Sequence, residues 1–330
     1  MRVVYMGTPD FAVLPLQKIK EAGHDVIAVF TQPDREKGRG RRLLESDIKK
    51  AAVSMHIPVY QPVRLRDQEN VKKLRELMPD LIVVAAYGQI LSEEILKIPK
   101  CGCINIHASL LPKYRGASPV EACILAGDKE TGVTIMHMEK GLDTGDIIEK
   151  TAVPVLTCDT AASLTKKLSQ SGAELVVKVI SEIENGTAAR IQQNDSESTY
   201  AGKLTKEMGK IDFSENSEMI VRKVHALYPW PCAYTNFAGK NMKILDAVSI
   251  SENDIAEMIS QIAQSEKMID IKNKEMCPGM VIYISKKSFW IKCGNGAVEV
   301  LTLQPDGKKE MNTSAFLNGY KMTIGEEFAK

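Results

Sequence analysis

Asn105 and His107 stand two residues apart in Cys103-Ile104-Asn105-Ile106-His107, and Asp143 follows in Gly141-Leu142-Asp143-Thr144-Gly145. On a β-strand alternate side chains share a face, so Ile104 and Ile106 point one way while Asn105 and His107 point the other. The neighbouring runs read as central strands of a parallel sheet, which are covered on both faces and are apolar at nearly every position. Two polar side chains on such a strand need a chemical reason. Asn offers a neutral amide donor suited to a developing oxyanion, and His titrates near neutrality. A carboxylate at Asp143 would set the charge of the imidazole. Side by side at a strand end, these groups can polarise a carbonyl and move a proton.

The elements that must position them are legible in the pattern. Residues 2–6 form a β-rich run ending at Gly7, and Thr8 can cap a helix that starts at Pro9 and buries Phe11, Leu14, Leu16 and Ile19 before Gly23. Residues 25–31 form the next strand, and this β-α-β opening predicts a right-handed parallel crossover. A dinucleotide fingerprint would need glycine where Pro9 and Ala12 stand, so nicotinamide cofactor binding is not expected. Helices are predicted over 46–55 and 67–77, flanking a short strand at Val59. Residues 80–86 are a continuous apolar run that ends in the turn Tyr87-Gly88-Gln89, at the sheet edge where open α/β folds place ligands. A helix over 116–127, strands over 131–138 and 147–155, and an amphipathic helix over 160–183 stopped by Asn185-Gly186 complete the domain.

The fold class is therefore α/β, with a Rossmann-like parallel-sheet domain over 1–188. Residues 189–207 turn polar and read as a linker lying across the surface. Residues 208–330 carry a helix at 217–227 and short β-rich runs at 233–237, 242–248, 279–284, 288–293 and 297–303, the pattern of a small barrel. Within 251–275, Ile255, Met258, Ile259 and Ile262 recur in helical phase, which predicts a surface helical insertion.

Composition narrows the class. A chain of 330 residues has room for about two cores. With 44% hydrophobic and 26% charged residues, it reads as soluble and globular. The net charge of +1 gives no global sign of a polyanion partner, so one must be argued from local clusters. Seven cysteines, an odd number without regular spacing, read as reduced thiols, and Cys101-Gly-Cys103 lacks the second pair of a zinc site; no metal is expected. With no charged signal segment and no apolar run of about twenty residues, the chain reads as cytoplasmic, with no membrane partner.

Asn105, His107 and Asp143, with Ser109-Leu110-Leu111-Pro112 and the following Arg-Gly, resemble the Asn-His-Asp formyltransferases that use 10-formyltetrahydrofolate. The resemblance extends to GTPDF at 7–11, TQPDR at 31–35, GRGRR at 38–42, AAYGQIL at 85–91, YPWP at 228–231 and LQPDGKK at 303–309, nearly the whole chain. It implies an OB-like barrel in the second domain and formyl transfer to the amino group of methionine on initiator methionyl-tRNA, through a tetrahedral oxyanion. Asn105, His107 and Asp143 would be catalytic. The folate pocket would be formed by Ser109, Leu110, Leu111, Pro112, Ala86, Tyr87, Gly88, Gln89, Ile90, Leu91 and Leu142, largely through backbone groups.

Arg35, Lys37, Arg39, Arg41 and Arg42 would meet tRNA phosphates, from a loop too charged and glycine-rich to pack, following the second strand at the same sheet edge. A monomer is expected. The competing readings are formyl transfer to a small amine such as a sugar nucleotide, and a folate- or RNA-binding protein without catalysis. The second reading leaves the pair Asn105 and His107 unexplained.

Overall fold

The apolar runs Arg2–Gly7, Leu81–Ala85 and Cys103–His107 lie side by side in one seven-stranded sheet of the computed structural model, which describes residues 1–37, 42–263 and 276–328. The strand order is Ile147–Pro154, Glu130–His137, Cys103–His107, Leu81–Ala85, Arg2–Gly7, Asp25–Phe30, Val59–Tyr60. The five strands from Cys103–His107 to Val59–Tyr60 pair in parallel. Glu130–His137 and Ile147–Pro154 extend the sheet by antiparallel pairs. Parallel neighbours need crossovers that cover both faces, which is why these runs are apolar almost throughout.

Helix Ala161–Glu184 covers the apolar face of the strand that carries Asn105 and His107. Its Leu164, Leu168, Val176, Val179 and Ile180 are buried, and each such side chain contributes roughly 1.5–3 kcal/mol of burial. Gly172 sets the closeness: a Cβ there would stand 3.0 Å from Ile106 Cγ2 and 3.4 Å from Val133 Cγ1. Ile106 therefore meets the helix, and the opposite face is left to Asn105 and His107.

The described chain divides into two compact units. One holds Met1–Val120, Lys129–Val155 and Ser163–Gly202, and the other holds Glu121–Asp128, Leu156–Ala162 and the described residues from Lys203 onward. In the first, Thr8 does not cap a helix at Pro9. A short 3-10 turn, Asp10–Ala12, precedes helix Val13–Glu21 and lacks a side-chain cap. The Thr8 hydroxyl instead donates to the Tyr87 carbonyl at 3.0 Å, which also accepts from Gln32 Nε2 at 3.1 Å. The parallel pairing of Arg2–Gly7 with Leu81–Ala85 brings that carbonyl within reach of the hydroxyl. The loops after three strands are thereby joined at the carboxyl edge.

The second unit builds an antiparallel sheet in the order Ala233–Phe237, Lys240–Ile250, Ala297–Pro305, Phe289–Lys292, Val281–Ile284, with Met311–Asn312 on Ala297–Pro305. Its core includes Phe213, Phe289, Phe316 and Phe328, with Phe237 stacked on Phe328 at 4.6 Å. Strand pairing among the described residues does not close this sheet into a barrel. The two edges are touched by one tail segment, through single bridges of Phe237 to Phe328 and Met280 to Glu327. Helix Glu252–Ala263 forms where the apolar phase predicts it, and Ile255 and Met258 are buried with Met280, Ile282 and Ala297. Residues 264–275 of the expected insertion lie outside the described residues.

Candidate active site

Strand Cys103–His107 is buried along its length, with Asn105 9% and His107 5% exposed. Cys103 shares their face, but burial pushes its thiol up to about 12, so it stays a neutral thiol rather than a nucleophile. Asn105 Nδ2 donates to Asp143 Oδ1 at 3.4 Å. His107 Nδ1 stands 3.7 Å from Asp143 Oδ2, and the ring's other nitrogen, Nε2, lies 2.9 Å from the Tyr114 carbonyl. A carbonyl only accepts, so Nε2 carries a proton. Nδ1 faces the carboxylate. The structure thus brings Asn105, His107 and Asp143 together, and spends one imidazole nitrogen on the backbone instead of leaving it to face a substrate.

Asp143 is the most constrained of the three. It sits in the left-handed region at φ 53°, which Asp tolerates better than most residues. Its Oδ2 accepts the Gly116 N–H at 2.8 Å. Gly116 has φ 117°, and a Cβ there would stand 2.5 Å from the Ala201 carbonyl, because Arg115–Gly116 pairs with Tyr200–Ala201. Two carbonyls of the Asp143 loop accept from Gln193 Nε2, at 2.9 Å from Asp143 and 2.8 Å from Gly145. Gln193 lies in the stretch expected to cross the surface as linker, yet it is buried. Nothing in its local sequence marks it. The signal is a contact across fifty positions, which appears only when the chain folds.

Ser109 to Pro112 form a turn pinned by Thr134, the register partner of His107. The Thr134 hydroxyl donates to the Ser109 carbonyl at 2.7 Å and accepts from the Leu111 N–H at 3.0 Å. Ser109 Oγ donates to the Lys113 carbonyl, Leu111 is buried with Met136 and Ile147, and Lys150 Nζ donates to the Leu111 carbonyl. Pro112 follows a cis peptide.

In the Ala86 to Leu91 turn, Ala86 and Gly88 have positive φ. Tyr87 and Leu91 are buried in the core, and Gln89 is occupied by the Leu65 N–H and the Pro62 carbonyl. Those three side chains are therefore structural, and backbone groups and Ile90 are what the turn can present. Ile90 and Leu142 are both exposed, and the Lys140–Glu93 ion pair at 3.1 Å brings their two loops together.

Arg35–Lys37 and Arg42–Leu44 form an antiparallel ladder, with Arg35 opposite Leu44 and Lys37 opposite Arg42. The segment expected as an unpacked loop is thus a hairpin at its described ends, while Arg39 and Arg41 lie outside the described residues. Its base is anchored through Asp34, which accepts from Lys49 Nζ and from Gln61 Nε2 at 2.7 Å. Lys49 first, then Gln61, holds that carboxyl below the usual carboxylate range. Among the described residues no His, Cys, Asp and Glu side chains converge as a metal site would require. No helix among them is long and apolar enough to cross a membrane.

Residues 1–180 match the family described as formyl transferase, and residues 203–321 match the formyl transferase C-terminal domain. A methionyl-tRNA formyltransferase of Lachnospira eligens is 45% identical over 98% of both chains. Another, of Agathobacter rectalis, is 43% identical over 99% of both. Among solved structures, HypX from Aquifex aeolicus in complex with tetrahydrofolic acid shares the fold, with a TM-score of 0.66 and 17% identity. That match covers 99% of this chain and 48% of HypX.

Proposed function

The chain belongs to the formyl transferase family, and from that membership we infer that it transfers a formyl group from 10-formyltetrahydrofolate to the amino group of methionine on initiator methionyl-tRNA. The observation that carries this reading is the 45% identity, over 98% of both chains, to a relative named for that reaction. It is an enzyme of translation initiation, acting in the cytoplasm as a monomer. The domains are the catalytic one over 1–188, the linker over 189–207, and an OB-like tRNA-binding module over 208–330.

The methionine nitrogen attacks the formyl carbon, a tetrahedral oxyanion forms, and the folate nitrogen leaves. An α-amino group titrates near pH 8, so much of it is already nucleophilic without a strong base. Asn105 Nδ2 carries two protons. Its long contact to Asp143 uses one, and the other is available to the formyl oxygen as negative charge develops, a donor worth about 3 kcal/mol in comparable sites. His107, with Nε2 donated to Tyr114, acts through Nδ1, which faces Asp143. Asp143, or a water it orders, accepts the proton released by the amine and passes it to the folate nitrogen as the bond from that nitrogen to the formyl carbon breaks.

The folate lies against the Ser109 to Pro112 turn, the Ala86 to Leu91 turn and Leu142. The exposed Ile90 and Leu142 support that placement. Arg35, Lys37, Arg39, Arg41 and Arg42 meet the phosphates of the tRNA acceptor end. The test compares charged initiator methionyl-tRNA, free methionine and an amino sugar nucleotide as acceptors with 10-formyltetrahydrofolate. Formylation of the charged tRNA alone is expected. Equal turnover of free methionine removes the reading.

A further inference from the structure

We propose that Gln193 is a positioning residue that holds Asp143 in its working geometry; this deepens the reading above and rests on Asp143 being catalytic. Asp143 occupies a loop whose neighbours Gly141, Leu142 and Thr144 are exposed, so little apolar packing fixes it. Its left-handed backbone persists only where its surroundings impose it. Polar contacts do that work. Gln193 Nε2 donates to the carbonyls of Asp143 and Gly145, on either side of Thr144.

The other end of the amide is equally committed. Gln193 Oε1 accepts from Arg115 Nε at 3.1 Å and Nη2 at 2.9 Å, and Arg115 Nη2 also donates to Asp195 Oδ1 at 2.7 Å. Carbonyls only accept and a guanidinium only donates, so the amide has one satisfied orientation. Arg115 precedes Gly116, whose N–H holds the Asp143 carboxylate. A closed ring results: Asp143 carboxylate, Gly116 backbone, Arg115 side chain, Gln193 amide, Asp143 carbonyl. It fixes the aspartate at both its side chain and its backbone. Asn105 and His107 read only the side-chain end of this ring.

The test is a double-mutant cycle in the full-length enzyme. Gln193→Glu keeps the acceptor for Arg115 and replaces the donor by an oxygen facing two carbonyls. It is expected to lower kcat by roughly ten- to a hundredfold, the scale of a small misplacement of a catalytic group. KM for both substrates should stay within about twofold, since the residue acts through Asp143. In an Asp143→Ala background the same substitution should cost nothing further. An equal loss in both backgrounds assigns Gln193 to general stability and overturns the proposal, as does wild-type kcat in Gln193→Glu or a change confined to KM. Gln193→Met, neutral and of similar length, gives the same cycle if the glutamate variant does not fold. Wild-type kcat in Asp143→Ala itself overturns the reading of the site along with the proposal, whereas an inactive Asp143→Ala beside an unaffected Gln193→Glu overturns the proposal alone.

Discussion

Asp143 Oδ2 lies 3.7 Å from His107 Nδ1 and accepts the Gly116 N–H at 2.8 Å, so one carboxylate oxygen serves the imidazole and the backbone together. With His107 Nε2 donated to Tyr114, the imidazole is held at both nitrogens between a carboxylate and a carbonyl. That arrangement orients the ring. It also makes the three polar side chains one unit, because Asn105 reaches the other oxygen of the same carboxylate.

Single replacements His107→Ala, Asn105→Ala and Asp143→Ala are therefore expected to lower kcat by about a hundredfold or more, with KM changed far less. Steady-state kinetics with charged tRNA measure this. The combined losses should fall short of the sum. Near wild-type kcat in any one variant would remove that residue's role.

Replacing Arg39, Arg41 and Arg42 by Ala should raise KM for methionyl-tRNA and leave folate affinity unchanged. Each lost phosphate contact should reduce the slope of log affinity against log salt by about 0.7 to 0.9. Affinity measured between low and moderate salt checks it. An unchanged slope removes the tRNA-binding role of these residues.

The pair Asn105 and His107 was legible because polar side chains violate the expectation for a strand buried on both faces. Asp143 was legible only through its joint pattern with Asn105, His107 and Ser109 to Pro112, since an acid between glycines by itself reads as turn chemistry. The clamp on its loop was not legible, since Gln193 sits in a polar stretch with no periodicity, and its value comes only from the carbonyls it meets. The hairpin at Arg35–Lys37 was missed for a related reason. Charged residues beside glycine carry little β propensity, and the ladder forms over a base fixed by Asp34, Lys49 and Gln61. In the second unit the strand runs read clearly, whereas pairing of the sheet's edges depends on the tail near Phe328, far away in sequence.

Stability should fall as the solution is acidified through the neutral range. Burial first, then the Arg190 charge, lowers the pKa of His137, whose Nε2 is buried with no partner among the described residues. Burial lowers His24 as well. A histidine with a depressed folded pKa binds fewer protons folded than unfolded. Its neutral form thus supports the fold above about pH 6.5, and that support is lost as pH falls toward the folded value. The slope is at most about 1.4 kcal/mol per pH unit for each group. Urea unfolding at pH 7.5, 6.5 and 5.5 should show a smaller acid loss in His137→Gln than in the wild type. Equal losses would mean that His137 does not titrate on unfolding.

Gly145 offers the sharpest separation of geometry from stability. A Cβ at this position would overlap the carbonyl oxygen of His137. That oxygen belongs to a central strand, Glu130–His137, held on both sides by its neighbours, so the strand cannot give way. The loop must move instead, and it carries Asp143 two residues away, with the Gly145 carbonyl among the acceptors that Gln193 grips. Gly145→Ala should cost about 1–3 kcal/mol as overpacking. It should also lower kcat by roughly ten- to a hundredfold through displacement of the carboxylate. Gly186→Ala is the control: Gly186 has φ 69° with nothing within 4 Å of an added Cβ, so the substitution strains a helix end far from the chemistry. It should lower the unfolding midpoint and leave kcat unchanged. A Gly145→Ala enzyme with wild-type kcat would show that the site tolerates movement of the Asp143 loop, and parallel losses in both variants would trace the effect to stability.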